Sequence, residues 1–299
     1  MPTAVIDIGT NTLLLLVVDE AMRPILDECR FGRLGRGLDA TGRLAPEAIA
    51  ESLEICREYR RLLDDTGVAC PVIVGTQALR EATNARDFID AAQAILRASI
   101  HIIDGAREAE LVFTSVARSF PELAGTTFVV VDVGGGSTEI VATDGTRVTS
   151  SVSLPIGAVR LTERHLRHDP PTAEETRALF ADIDRHLASL ALPARVPVVG
   201  TAGTATTLAA ISLRLPRYDP VAVTGFRLDP SALEAQLIRL LGMTVAARRA
   251  LKGMEPQRAD VIAGGVAIYS RIVNRIDAPV LITADRGVRW GLAYEQAGA

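Results

Sequence analysis

The feature that most constrains this chain is a repeated unit of strand, tight turn and strand. An apolar run at Thr3–Ile6 leads into Asp7-Ile8-Gly9-Thr10-Asn11-Thr12, and a later run at Phe128–Val131 leads into Asp132-Val133-Gly134-Gly135-Gly136-Ser137-Thr138-Glu139. Short apolar runs bounded by glycine are typical of buried strands, so each unit is predicted to be a β-hairpin. Two such hairpins predict a duplicated domain, residues 1–123 and 124–299, with a boundary in the loop at 121–126.

Between and after the hairpins, helical periodicity alternates with short apolar runs. The predicted helices are Pro46–Leu63, Asp87–Leu96, Ala106–Arg118, Pro171–Leu190, Pro230–Leu241 and Ala259–Arg275. The predicted strands are Cys70–Val74, Ile100–Ile103, Val196–Val199 and Val280–Ile282. Strands that alternate with helices indicate the α/β class.

Composition excludes several classes of protein. The 299-residue chain is 48% hydrophobic and has a net charge of −4, which gives no general attraction to nucleic acid or to an anionic membrane. Lys252 is the only lysine and lies outside any glycine-rich loop, which excludes a P-loop NTPase. The three cysteines are widely spaced, as in a reduced protein without a zinc site. With no leader pattern and no membrane-length apolar run, a cytoplasmic protein is expected.

The loop after Asp132 has the composition of a phosphate-binding turn. Consecutive glycines let several backbone N–H groups point into one concavity that suits an anion, and the next two residues add hydroxyls. A carboxylate repels phosphate, so Asp132 implies a divalent cation between them. Mg²⁺ fits because it takes one or two carboxylates plus phosphate and water oxygens, and Glu139 is a candidate second ligand. The alternative is a glycine-rich turn with a solvated aspartate.

A third segment, Gly200-Thr201-Ala202-Gly203-Thr204, also follows an apolar run and combines glycine with hydroxyls. Three such turns in both halves of the chain predict a phosphate cradle between two lobes. This pattern resembles the actin, sugar-kinase and heat-shock-chaperone superfamily. The predicted fold is therefore α/β, with two ribonuclease H-like domains and an interdomain cleft.

A closer resemblance, to the Ppx/GppA family of exopolyphosphatases and guanosine pentaphosphate phosphohydrolases, covers nearly the whole chain in order. Each motif alone is weakly specific, and the series together is highly specific. The matching segments are Ile6–Thr12, Arg33–Leu44, Thr76–Asn84, Asp132–Glu139, Ser153–Thr162, Gly200–Thr204, Arg258–Ile262 and Asp285–Gly287.

The resemblance implies roles for individual residues. Glu108 aligns with the family's general base, although from the helix alone Glu110 is an equal candidate. Arg80 would bind phosphate, because a guanidinium meets phosphate oxygens in a fork. Asp132 and Glu139 would hold Mg²⁺, with Mn²⁺ as an alternative and a monovalent cation such as K⁺ as an additional ion. The implied phosphate-binding residues are Asp7, Gly9, Thr10, Asn11, Thr12, Gly134, Gly135, Gly136, Ser137, Thr138, Gly203 and Thr204.

The implied activity is exopolyphosphatase hydrolysis by the short, two-domain form of the family, with a homodimer expected. Alternatives are a guanosine pentaphosphate phosphohydrolase, an acetate- or sugar-type kinase, and a polyphosphate or nucleotide sensor without turnover. The sensor alternative is motivated by Glu110, which stands where the family commonly has arginine. Outside this pattern, His165 and His168 suggest metal ligands, but a partly exposed helix end is the better interpretation because only two ligands are present.

Overall fold

The computed structural model describes residues 2–298 and divides into two compact units. The first unit is Met1–Ser115 with Val288–Ala299, and the second is Val116–Gly287. The C-terminal segment thus groups with the first unit rather than with the second half in which the sequence analysis put it. Residues 1 and 299, the outer limits of the predicted domains, lie outside the described part of the chain.

The first unit contains a five-stranded sheet in the order β3-β2-β1-β4-β5. Strand β1 pairs antiparallel with β2 and parallel with β4. The strands are β1 (Thr3–Ile8), β2 (Leu13–Val18), β3 (Pro24–Arg30), β4 (Val72–Gly75) and β5 (Ile100–Ile102). The helices are α1 (Leu38–Thr41), α2 (Pro46–Asp65), α3 (Gln77–Glu81), α4 (Ala85–Leu96) and α5 (Gly105–Ser119), which crosses the unit boundary, and the C-terminal α13 (Val288–Gln296).

Alternation along β1 explains how this sheet is covered on both faces. Ile6 and Ile8 face a core formed with α2 and α4, whereas Val5 on the opposite face joins a cluster that includes Leu111 of α5 and Trp290 of α13. Helix α13 therefore groups with the first unit because its apolar residues cover this second face. A side chain at Gly291 would place its Cβ 2.0 Å from the Leu111 carbonyl oxygen, so the two helices pass in close contact.

The second unit contains a six-stranded sheet in the order β10-β11-β9-β6-β7-β8. Its strands are β6 (Phe128–Val133), β7 (Thr138–Thr143), β8 (Val148–Leu154), β9 (Val198–Thr201), β10 (Arg227–Leu228) and β11 (Leu281–Thr283). Its helices are α6 (Ala158–His165), α7 (Ala173–Leu187), α8 (Ala202–Leu213), α9 (Pro220–Val223), α10 (Pro230–Leu241), α11 (Val245–Arg249) and α12 (Ile262–Arg275). Apart from the short β10, this order repeats that of the first sheet, which confirms the predicted duplication.

The core of the second unit lies between its sheet and a layer of helices. Inward-facing Val129, Val131 and Val133 of β6 pack in one cluster with residues of α6, α7, α10 and α12. Helix α12 is largely buried, and the hydroxyl of its Tyr269 donates to the carbonyl oxygens of Val131 (3.1 Å) and Thr201 (2.6 Å). That side chain bridges the ends of β6 and β9, where the Asp132 loop and the third glycine-containing segment begin.

Both hairpins are confirmed, and most of the other predicted elements are shifted by a few residues at one or both ends. The segment Gly200–Thr204 is not a free turn, because β9 ends at Thr201 and α8 begins at Ala202, whose φ is +62°. The helix predicted from Ala259 begins at Ile262 and follows a short 3₁₀ turn at Pro256–Arg258. Within residues 2–298 no helix is both long enough and apolar enough to cross a membrane.

Candidate active site

In the first unit, the loop between β1 and β2 is closed and braced by its neighbours. The Gly9 N–H donates to the Thr12 carbonyl (2.9 Å), and the Thr10 hydroxyl donates to Gln77 Oε1 (2.7 Å). A Cβ at Gly35 would lie 2.1 Å from Thr10 Cγ2, so the segment between β3 and α1 that contains Gly35 packs directly on the Thr10 side chain. Since the Thr10 hydroxyl proton is committed to Gln77, the donors that this loop can offer to an anion are its backbone N–H groups and the side chains of Asn11 and Thr12. The backbone N–H groups of Thr10 and Asn11 have no acceptor among the described residues.

The structure brings the two predicted catalytic residues together. Glu108 lies in the first turn of α5, and its Oε1 accepts a hydrogen bond from Arg80 Nη1 at 2.8 Å. The same Arg80 nitrogen also donates to the Ile103 carbonyl at 2.5 Å, just before α5. The Glu108 side chain is only 8% exposed, so this charged hydrogen bond holds a largely buried carboxylate in one orientation.

Glu110, the other candidate from the sequence, has a different environment. Its side chain is 62% exposed, and its Oε2 pairs with Arg107 Nη1 at 3.1 Å. Arg107 also pairs with Glu295 of α13. The carboxylate at the position where the family commonly has arginine therefore shares Arg107 with Glu295 on the surface of α5. Burial distinguishes Glu108 from Glu110, which helical spacing alone did not.

In the second unit, the glycine loop after Asp132 is held against the start of α6. The Gly134 N–H donates to the Ser137 carbonyl (3.0 Å), and the N–H groups of Ala158 and Arg160 donate to the Gly134 (2.9 Å) and Gly135 (3.1 Å) carbonyls. In a trans peptide the N–H points opposite to the C=O, so the N–H groups of Gly135 and Gly136 are directed away from α6. Neither has an acceptor among residues 2–298, which leaves adjacent donors for an anion.

The two loop hydroxyls differ in their hydrogen bonding. Thr138 is fully buried, and its Oγ1 donates to the Ile156 carbonyl at 2.6 Å. Ser137 is also buried but its hydroxyl has no partner in the described part of the chain. The Thr138 hydroxyl therefore fixes the loop to the segment before α6, whereas the Ser137 hydroxyl remains available. That both residues bind phosphate stays a prediction.

Four polar residues lie in register across four strands of the second sheet. Asp132 pairs directly with Glu139 across the β6–β7 hairpin, with Thr201 on its other side in β9, and Glu139 pairs with Ser153 of β8. Directly paired residues share one face of a sheet. The Thr201 hydroxyl donates to Asp132 Oδ2 (2.8 Å), and the Ser153 hydroxyl donates to Glu139 Oε1 (2.7 Å). Two buried carboxylates are thus adjacent, with each flanked by a hydroxyl donor.

The electrostatics of this pair fit a divalent cation. Burial raises the pKa of Asp132 to about 6, against a smaller opposing effect of the Thr201 hydrogen bond. A cation would favour the ionised carboxylate and so offset this desolvation. No group of three or more His, Cys, Asp or Glu residues suited to a metal is found in residues 2–298. Asp132 and Glu139 would supply two protein ligands, which matches Mg²⁺, an ion that usually completes its shell with phosphate and water.

The other two residues predicted to bind phosphate, Gly203 and Thr204, lie in the first turn of α8. A Cβ at Gly203 would fall 1.9 Å from the Arg258 guanidinium carbon, so glycine is needed for this arginine to lie over the helix start. Thr204 packs against Gly265 of α12. The N-terminus of α8 and Arg258 together form a positive region next to Thr201, in keeping with anion binding at helix starts.

Sequence reasoning missed several residues that complete these contacts. Gln77, Thr201, Ser153 and Arg258 lie within recognised motif segments, but no role was assigned to them. For Thr201 and Ser153 a signal existed, because the register of neighbouring strands brings them beside Asp132 and Glu139. For Gln77 and Arg258, contacts with residues distant in sequence decide the role.

The histidine pair has the helix-end environment expected for it. His165 is the last residue of α6, and its Nε2 lies 2.7 Å from Asp182 Oδ2. His168 follows the helix, and its Nδ1 lies 2.8 Å from Glu175 Oε1. Each histidine is bonded to a different carboxylate, so the two are not arranged as ligands of one metal ion.

Comparison with known proteins agrees with these features. The model of the Ppx/GppA phosphatase family matches residues 15–299. An exopolyphosphatase 2 of Mycobacterium tuberculosis is 37% identical, covering 99% of this chain and 98% of its own. A guanosine-5'-triphosphate,3'-diphosphate pyrophosphatase of Vibrio cholerae is 30% identical over 98% of this chain and 58% of its own.

A solved structure extends the likeness to the fold. The crystal structure of the Aquifex aeolicus member of the Ppx/GppA family has a TM-score of 0.82 and 32% identity, and it covers 100% of this chain and 98% of its own. The match thus includes both units and all of the glycine loops. The chain belongs to the Ppx/GppA phosphatase family, and it is a phosphoanhydride hydrolase.

Proposed function

We propose that this hydrolase releases orthophosphate from the end of inorganic polyphosphate, with Glu108 as general base and Mg²⁺ as cofactor. The observation that carries the proposal is the buried ion pair between Glu108 and Arg80. The exopolyphosphatase of M. tuberculosis, which is similar over the whole chain, supports the choice of substrate.

The proposed step is hydrolysis of the terminal phosphoanhydride. Glu108 takes a proton from a water molecule, whose oxygen bonds to the terminal phosphorus while the bond from that phosphorus to the bridging oxygen breaks. The products are orthophosphate and a chain shorter by one phosphate. Arg80 orients Glu108, and its guanidinium has further N–H donors for phosphate oxygens.

Each glycine loop by itself is suited to bind phosphate through backbone N–H groups. These are the N–H groups of Gly135 and Gly136 in the second unit, and those of Thr10 and Asn11 in the first. Mg²⁺ held by Asp132 and Glu139 would neutralise charge on the phosphate oxygens. Preorganised donors and charge neutralisation provide most of the catalysis in phosphoryl transfer.

The proposal is tested by phosphate release from tripolyphosphate and long-chain polyphosphate, comparing Glu108→Gln with Glu110→Gln. Glutamine keeps the size of the side chain but cannot accept the water proton. We expect Glu108→Gln to lower kcat by about 10² to 10⁴, the usual contribution of a general base, with substrate binding retained. Glu110→Gln is the matched control on the same helix and should keep nearly full activity. Equal losses in both variants would refute Glu108 as the base.

The second candidate substrate is guanosine pentaphosphate, which the V. cholerae relative favours. The same assay with this nucleotide distinguishes the two, since the preferred substrate has the higher kcat/KM. A protein that is stabilised by either ligand in thermal unfolding, but releases phosphate from neither, would be a sensor and would overturn the proposal.

A further inference from the structure

The C-terminal helix α13 packs against α5, the helix that carries Glu108. Leu111 of α5 and Trp290 of α13 are both buried in the cluster on the second face of the first sheet. The helices also touch through their backbones, because a Cβ at Gly291 would lie 2.0 Å from the Leu111 carbonyl oxygen. Leu111 follows Glu108 by less than one helical turn, so this contact is close to the proposed base.

A charged contact joins the same two helices about one turn earlier on α5. Arg107, the residue before Glu108, pairs with Glu295 near the end of α13. The same guanidinium pairs with Glu110 at 3.1 Å, but Glu110 lies on α5 itself. Of these two bonds, the one to Glu295 therefore ties the first turn of α5 to a second helix.

Helix α13 is itself anchored to the first sheet. Arg289 in its first turn donates two hydrogen bonds to Asp27 of β3, from Nε to Oδ1 at 2.9 Å and from Nη2 to Oδ2 at 3.2 Å. The Arg289 side chain is only 12% exposed, so this fork is largely shielded from water and holds the start of α13 on the edge strand. A helix fixed in this way, which touches α5 at Gly291 and at Glu295, can hold α5 in place.

We propose that α13 positions the general base, with Gly291 and Glu295 as positioning residues that act through α5. The inference rests on the proposed function, because it takes Glu108 as the base. Arg80 orients the carboxylate through its bond to Oε1, whereas α13 sets where the backbone of α5 lies. A general base must be within hydrogen-bond reach of the water that it activates, so a shift of α5 by about 1 Å lowers the rate while the phosphate-binding loops stay intact.

Gly291→Ala tests the backbone contact. Its methyl group would meet the backbone of α5, which yields less easily than a side chain, so the two helices must move apart. We expect kcat for polyphosphate to fall about 10²-fold, as for a misplacement of about 1 Å, with KM unchanged. Leu96→Ala is the control for lost stability and should keep kcat, since Leu96 is also buried in the first unit but lies in the core on the opposite face of the sheet.

Two glutamine variants compare the two bonds of Arg107. Glu295→Gln weakens the bond between the helices, and Glu110→Gln, the matched control, weakens the bond within α5. We expect Glu295→Gln to lower kcat about threefold, in keeping with the loss of one partly exposed ion pair, and Glu110→Gln to leave kcat nearly unchanged. Equal kcat in these two variants would count against the inference, and this pair decides it if Gly291→Ala does not fold.

Combining Gly291→Ala with Glu108→Gln separates positioning of the base from a general loss of structure. If α13 acts through Glu108, Gly291→Ala should lower kcat in the wild-type background and cause no further loss once the base is absent. Equal fold-losses in both backgrounds, or a rise in KM with kcat unchanged, would overturn the inference and leave Glu108 as the base. If Glu108→Gln itself keeps full activity, the proposed function fails, and the inference fails with it.

Discussion

The two Asp-x-Gly hairpins share a backbone and differ in the side chains beside the aspartate. Gly9 bonds to Thr12 at 2.9 Å in the first, and Gly134 bonds to Ser137 at 3.0 Å in the second. In each sheet, the first hairpin strand also pairs with a parallel strand that leads into a helix. The backbone geometry that presents N–H groups to an anion is therefore duplicated.

The residues in register with each aspartate are not duplicated. Asp7 is paired with Leu14 and Val74, whereas Asp132 is paired with Glu139 and Thr201. Only the residues in register with Asp132 combine a second carboxylate with a hydroxyl donor. Both hairpins therefore present backbone N–H groups at the turn, but only the second places two carboxylates side by side where a cation could be held.

The largest effect is expected for Asp132→Asn, which removes one carboxylate of the pair and keeps an acceptor for Thr201. Loss of a metal ligand should lower kcat/KM for polyphosphate by about 10³, comparable to loss of a preorganised electrostatic group. Phosphate release measured across a Mg²⁺ titration checks this, with Asp277→Asn as a surface control in the same unit. Full Mg²⁺-dependent activity in Asp132→Asn would mean that the difference between the residues paired with Asp132 and those paired with Asp7 has no role in catalysis.

The same substitution should stabilise the metal-free protein. Because the folded pKa of Asp132, about 6, exceeds the ordinary 3.8, its contribution to stability is fully present below pH 3.8 and is lost as pH rises through 6. At pH 7.5 in EDTA, we expect Asp132→Asn to unfold with a free energy higher by about 3 kcal/mol, with the difference disappearing near pH 4. Urea unfolding at several pH values measures it. A difference that does not change with pH would contradict burial of an ionised carboxylate.

Much of the difference between the two hairpins could be predicted from the sequence, because the register of a hairpin follows from the position of its turn. With a turn at Gly134–Ser137, Asp132 must face Glu139, so the carboxylate pair can be inferred without a structure. The choice between Glu108 and Glu110 could not be made in this way, since it depends on burial and on Arg80, which is 28 residues away.

The start of α8 was missed for a different reason. Glycine and threonine have low helix propensity, so Gly200–Thr204 appeared to be a turn. In the fold, α8 is buried along most of its length, and tertiary packing overrides that local preference. The Arg258 guanidinium lies where a Cβ on Gly203 would be, a contact that no local pattern contains.

Two glycine substitutions should disturb the two loops unequally. A Cβ at Gly157 would lie 2.5 Å from the Gly135 backbone oxygen, whereas a Cβ at Gly35 would meet the Thr10 methyl group. Backbone yields less easily than a side chain, so Gly157→Ala should cost about 2 kcal/mol of stability and raise KM, with a smaller effect for Gly35→Ala. Gly242→Ala, whose nearest contact is 3.5 Å, is the control. A larger loss in Gly35→Ala would show that the first loop is the more rigid one.

The smallest effect concerns the two hydroxyls of the second loop. Thr138→Val removes the donor to the Ile156 carbonyl and leaves a buried acceptor unpaired, so we expect a loss of about 1 kcal/mol in unfolding free energy and little change in kcat. Ser137→Ala breaks no hydrogen bond within the described residues, so its unfolding free energy should stay the same while kcat/KM falls. Urea unfolding and phosphate release, measured on both variants, separate the two roles. If both lost stability and neither lost activity, the second loop would bind phosphate through its backbone N–H groups and not through its hydroxyls.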